Sequence, residues 1–387
     1  MASAPSRDTR TPQTAPFRPE WPPRAPSTVT SRPQRARTLQ HERRAGTLRR
    51  WAFRLALASP YVALALFWTG DQSANAALDR EGAAIAWGSD DLSFVSTLFP
   101  PLPAAVAGLA PFGARGAGLA GALVAGVVLG VLAERLSRSG LPFWLVGALL
   151  AGLGGMPVFG RLAVGDLGQF LVVALLSLGL AGMVRFAADG DTGGGFTCGL
   201  AMGAAVMCDL SAVLFTAMLA VACAVIIRRH GFGGADVAPG LIGATVLVIV
   251  FPAASALLGW AFLEWRFAGT FFEGLDGGWG PSIVTDGLAA LDDQPWRALG
   301  EALLRTPVFL AVLILSLFHR RWLLALLLPV LPLVVGLAVA LGLPLSPDEC
   351  LLVLGVAAVV VPVRPGRVTI VVLSAAIAAQ LGLGWLW

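Results

Sequence analysis

The chain has 387 residues, of which 57% are hydrophobic and 13% charged, and its mean hydropathy is +0.78. A soluble domain carries about 25% charged residues, so this composition excludes a water-soluble globular protein and points to apolar helices that cross a bilayer. The formal net charge is +4, and with no lysine every basic side chain besides the three histidines is an arginine.

Residues 1–50 are rich in Pro, Ser, Thr and Arg, with eleven arginines against Asp8, Glu20 and Glu42. Such a stretch buries too little apolar surface to offset its ordering entropy, so it reads as a disordered tail. Its charge places it on the cytoplasmic side. Few aromatics and no fold argue against nucleic-acid binding. The basic region is too long, and lacks the small-residue site, for a cleaved signal peptide.

The transmembrane domain is expected over residues 51–387, all α-helical, with about 11 spans (range 9–12) by runs of roughly 20 apolar residues. The first is Trp51–Trp68. The loop at 69–101 follows, with Asp71, Asp79, Glu81, Asp90 and Asp91 against Arg80, and the positive-inside rule puts it outside. Within it Ser89 or Asp90 can cap a short helix carrying Leu92, Val95 and Leu98, and Pro100-Pro101 stops that helix and opens the next. Leu102–Phe112 is too short to cross and is expected at the interface. Spans follow at Gly116–Leu132, Leu141–Phe159 and Leu167–Val184. The run Phe196–Ile227 is too long for one crossing, and a break at Asp209 is predicted to make two short helices of it. Span seven is Leu241–Phe262. The second acidic loop, 263–304, carries seven acids against Arg266 and Arg297. Pro307–Phe318, Trp322–Leu343, Leu351–Val363 and Val368–Trp387 complete the count, with Asp348 and Glu349 outside. Basic clusters at Arg135–Arg138, Arg228–His230, His319–Arg321 and Arg364–Arg367 alternate with the acidic loops, which makes the orientation self-consistent.

The four cysteines lack metal or disulfide spacing and read as buried thiols. All three histidines fall on the cytoplasmic side, so outward-facing chemistry has to rest on carboxylates and arginines. Asp90 and Asp91 are adjacent, about 100° apart on a helix, so one faces a substrate while the other caps. Asp91 is the expected base and Asp90 the cap; the alternative is that both serve only as cap and first-turn acid. Asp166 reads as an N-terminal acid of its span, and Asp209 as the cap of the helix after the break.

The first span, the external acidic pair Asp90-Asp91 and Phe99-Pro-Pro-Leu-Pro103 opening a helix resemble the polytopic membrane glycosyltransferases of the GT-C superfamily, over residues 51–228. The acidic pair lies farther from the first span than in many members, and no C-terminal soluble domain of the kind common in the family is expected from the apolar run that reaches Trp387. The resemblance implies an enzyme of the bacterial plasma membrane that takes a sugar from a polyprenyl-phosphate donor and passes it to an envelope glycan or lipid acceptor on the outer face. It implies Asp91 or Asp90 as general base, or as ligand to a divalent metal ion in some members. A cation for the departing phosphate would come from Arg80, Arg115, Arg161, Arg266, Arg297 or Arg305. The competing expectations are a transporter or flippase and an inactive scaffold of an envelope-assembly complex.

Overall fold

The structure, a computed structural model, describes residues 32–85, 87–88, 93–96, 98–230, 239–269, 294–318, 322–340, 346–361 and 365–386. Asp90, Asp91 and most of the second acidic loop lie outside these. The chain divides into two units, Met1–Arg49 and Arg50–Trp387. Of the first, the described part is the start of helix α1 (Arg32–Phe67).

Among the described residues of the second unit there are helices and no strand. After α1 come α2 (Ser73–Ala83), a single 3-10 turn (Ser93–Ser96), α3 (Pro101–Leu109), α4 (Ala114–Ser137), α5 (Phe143–Gly154) and α6 (Pro157–Gly165). These are followed by α7 (Leu167–Asp189), α8 (Thr192–Val206), α9 (Ser211–His230) and α10 (Pro239–Ala268). The last are α11 (Gln294–Arg305), α12 (Pro307–Phe318), α13 (Trp322–Ala340), α14 (Pro347–Val360) and α15 (Arg367–Leu386). Five stretches are long and apolar enough to cross a membrane: Ala114–Ser137, Leu167–Ala187, Ser211–Arg229, Gly240–Phe267 and Arg367–Gly384. Counting two bent pairs as single spans raises this to seven. The chain is therefore a helical protein built to sit in a membrane as a multi-pass bundle.

The first bent pair is α5 and α6, which meet at 58°. The sequence expectation was one span, Leu141–Phe159. The break falls at Gly154-Gly155-Met156-Pro157, where proline at the first position of α6 forces Met156 out of helical geometry (ψ 133°). The second pair, Leu299–Arg305 and Pro307–Phe318, bends by 83° at another proline start. The predicted break at Asp209 is present, since α8 ends at Val206 and α9 starts at Ser211, but α9 is not a short helix: Ser211–Arg229 is long and apolar enough to cross a membrane by itself.

The bundle core is mostly Leu, Val and Ala, with four fully buried phenylalanines, Phe159, Phe170, Phe215 and Phe309, among the described residues. Close approach of the helices depends on small residues. A Cβ on Gly121 would stand 2.0 Å from the Ala163 carbonyl oxygen, so α4 touches α6 backbone to backbone. A Cβ on Gly199 would stand 2.3 Å from the Val248 carbonyl oxygen, which seats α8 on α10 beside Pro252. Such seams let van der Waals contact and weak polar contacts stabilise the bundle where lipid removes the hydrophobic drive between helices. All four cysteines are buried free thiols.

Candidate functional site

The segment between α1 and α4 folds back on the bundle as α2, the 3-10 turn and α3. Asp71 starts it: its Oδ1 accepts from Ser73 N at 2.8 Å, and that bond holds its carboxyl below the usual range. The chain restarts as α3 at Pro101, whose missing N–H costs nothing at a first helical position. Leu102 N donates to the Met207 carbonyl oxygen at 3.1 Å, tying α3 to the corner between α8 and α9. Phe99 packs against Trp260 of α10, with ring centroids 6.4 Å apart.

Asn75 is the polar anchor of this segment and is fully buried. Its Nδ2 donates to the Val164 carbonyl oxygen at 2.7 Å, and its Oδ1 accepts from Leu167 N at 2.9 Å. It thus satisfies an end carbonyl of α6 and a start amide of α7, groups that helix termini leave without partners. A groove of about 380 Å³ opens between α2 and the 3-10 turn, lined by Ala77, Arg80, Glu81, Ala84, Phe94 and Leu98. Partial burial raises the Glu81 carboxyl, opposed by the neighbouring Arg80 charge. The stretch carrying Asp90 and Asp91 joins the two walls of this groove in sequence.

Three further acids gather at the same end of the bundle. Asp166 caps α7, its Oδ1 accepting from Gln169 N at 3.0 Å. Asp209, at the corner before α9, accepts from Ser211 N at 2.6 Å. Glu349 lies in the first turn of α14 and is 1% exposed. Its Oε2 accepts from Ser346 N at 2.7 Å while Ser346 Oγ accepts from Glu349 N at 3.2 Å, a reciprocal capping box. Ser346 Oγ also donates to Gln169 Oε1 at 2.9 Å, joining α14 to α7. Burial raises the carboxyls of Asp166 and Asp209, and it pushes Glu349 up to about 8, assisted by the charges of Asp209 and Asp166. Next to this trio Asp348 pairs with Arg161.

No known family model, no curated protein and no solved structure matches this chain.

The arginine candidates separate on geometry. Arg80 lines the groove. Arg161 is committed to Asp348, and Arg305 pairs with Glu301 one turn away at 3.5 Å. Arg115 is exposed at the start of α4, and Arg266 is exposed at the end of α10 with its guanidinium 5.5 Å from the Phe267 ring centroid. The Arg297 side chain lies outside the described residues, as do Asp90 and Asp91. Among the described residues no group of three or more His, Cys, Asp or Glu side chains has the geometry to hold a metal ion.

Two participants were missed in the sequence. Glu349 was placed outside with no role assigned, although Ser346-Pro-Asp-Glu349 is a readable capping-box pattern. Asn75 gives no local signal, because its partners lie 89 and 92 residues away.

Proposed function

We propose that the chain is a GT-C-like membrane glycosyltransferase, moving a sugar from a polyprenyl-phosphate donor to an envelope acceptor at the acid-rich end of the bundle. The observation that carries this reading is the folded segment between α1 and α4. It forms an open groove with Arg80 and Glu81 on its wall, and Asp90 and Asp91 fall, in sequence, between the lining residues Ala84 and Phe94. In this reading Asp91 takes the proton of the acceptor hydroxyl as that oxygen bonds to the anomeric carbon. The bond from that carbon to the phosphate oxygen breaks, and polyprenyl phosphate leaves with its charge facing Arg80. The acid-rich end faces outward, with the basic N-terminal segment in the cytoplasm of a bacterial cell.

The test is transfer from polyprenyl-phosphate-linked sugars by purified variants. Asp91→Asn should lose roughly 10²–10⁴-fold in rate, the contribution of a positioned base. Asp90→Asn should stay active, since asparagine also caps. Full activity of both single variants and the double variant would overturn the reading.

A transporter is the second reading, and the buried trio Asp166, Asp209 and Glu349 favours it, since buried ionisable groups mark ion paths in membrane proteins. Flux across proteoliposomes that follows the proton gradient and disappears in Glu349→Gln, with no sugar transfer, would select it.

A further inference from the structure

On an exposed apolar side of the bundle α9 and α13 leave a furrow of about 310 Å³ between them. Its lining is Ala, Leu, Met, Val and Ile throughout. Leu214, Val221 and Val225 of α9 repeat at helical spacing along one wall, and Val330, Val334 and Leu337 of α13 do the same along the other. Val221 is 64% exposed and Leu337 48%, so the furrow opens sideways from the bundle. Walls of this kind offer water no hydrogen-bond partner, and in a bilayer hydrocarbon fills the space.

The length of the furrow and the charge at its end narrow the occupant. From Leu214 to Val225 the wall follows about 17 Å of helix, close to the roughly 15 Å depth of one bilayer leaflet. The same stripe then runs on into charge. Arg228 stands seven residues after Val221, and Arg229 four after Val225, so both side chains leave α9 on the furrow side. Both arginines are exposed near the end of the helix. The positive-inside rule assigns that end to the cytoplasm, the side on which anionic lipids give the membrane its negative surface.

We propose that the furrow between α9 and α13 seats one acyl chain of an anionic phospholipid, with the lipid's phosphate against Arg228 and Arg229. Arginine suits the headgroup because its planar donors match phosphate oxygens in pairs. A choline headgroup would bring its own cation beside two guanidiniums, so the net negative lipid is favoured over the zwitterionic one. A second copy packed on this face about an axis along the membrane normal would gather the arginines of both chains at one end of the contact, which opposes that occupant. The inference does not depend on the sugar-transfer reading, which concerns the other end of the bundle.

The experiment uses the full chain in nanodiscs of equal parts phosphatidylcholine and phosphatidylglycerol. The chain is released into mild detergent and weighed intact with its retained lipids by native mass spectrometry. One phosphatidylglycerol per chain should be retained well in excess of phosphatidylcholine. Arg228→Gln/Arg229→Gln should lower that retention about tenfold or more. Val221→Trp fills the furrow from an exposed position and should lower it as far with both arginines in place. Ala217→Leu, a smaller filling at another exposed position of the same wall, repeats the test if Val221→Trp does not fold. Arg138→Gln/Arg367→Gln removes two exposed charges outside the furrow and should leave retention intact. Equal retention of the two lipids overturns the proposal, and so does an equal loss in Arg138→Gln/Arg367→Gln. Retention that survives both fillings puts the lipid elsewhere and overturns it too. So does a parent dimer that Val221→Trp breaks, since the furrow then belongs to a second copy.

Discussion

Gly82 of α2 and Gly108 of α3 cross backbone to backbone: a Cβ on Gly82 would stand 2.5 Å from the Gly108 nitrogen and from the Ala104 carbonyl oxygen. The same crossing seen from Gly108 puts a Cβ 2.7 Å from the Gly82 carbonyl oxygen. These are main-chain atoms, so no side chain can swing aside to make room.

Gly82→Ala should therefore separate α2 from α3 and open the groove wall. The expected cost is about 1–3 kcal/mol, the usual range for overpacking. Limited proteolysis within 84–98 should become faster, while Gly147→Ala, with open space around its Cβ position, should match the parent. Equal protease resistance in the two variants would refute the crossing.

Asn75→Ala removes two bonds at once and leaves a buried carbonyl at Val164 and a buried amide at Leu167. Each group left alone costs about 1–3 kcal/mol. Asn75→Asp should not rescue the loss, because its second oxygen would face the Val164 carbonyl. Urea unfolding in mild detergent, compared with Ala77→Ser on the groove side of α2, measures the difference.

Glu349 gives a pH signature. Its carboxyl is raised by burial from an ordinary 4.5 to about 8, so between these values the folded chain holds a proton that the unfolded chain has released. Stability from this group is complete below about pH 4.5. It falls as pH rises toward 8, by at most about 1.4 kcal/mol per pH unit. Glu349→Gln should flatten that part of the midpoint-versus-pH curve and should leave the variant more stable than the parent at pH 8. A parent curve that rises between pH 5 and 8, and keeps its shape in the variant, would contradict the burial of this acid.

The Arg161–Asp348 pair is partly exposed, with side chains 56% and 27% accessible. Arg161→Gln should cost no more than about 1 kcal/mol, and the loss should shrink in high salt. A larger, salt-insensitive loss would mean that Arg161 also neutralises the neighbouring buried acids.

Hydropathy alone was enough to find a helical membrane chain, because long apolar runs with few charges have no other stable form in lipid. Local chemistry also placed the start of α3 at Pro101 and the interruption at Asp209. The bend between α5 and α6 was hidden for a specific reason. Met156-Pro157 announces it, yet the apolar run continues unbroken across it, and a window of hydropathy does not register backbone geometry. Glu349 was passed over for a different reason. A charged residue near a loop is scored as solvated, whereas here α7 and α9 bring their own acids beside it. The arginine candidates resisted ranking because their roles depend on tertiary neighbours: Asp348 for Arg161, the α2 groove for Arg80. Asp90 and Asp91 remain a reading of sequence, lying outside the described residues.

Gln380 of α15 is buried and bridges distant segments. Its Nε2 donates to the Gly152 carbonyl oxygen at 3.1 Å across 228 residues, and its Oε1 accepts from Val308 N at 3.4 Å. The bend after α5 frees the first of those groups, and the proline start of α12 exposes the second. During biosynthesis both are made long before their partner leaves the ribosome. In the half-built chain the Gly152 carbonyl and the Val308 amide lack this partner until α15 arrives, which makes that helix the latch of assembly. Quality-control proteases that survey membrane proteins would meet this exposed backbone in any chain stalled before Gln380.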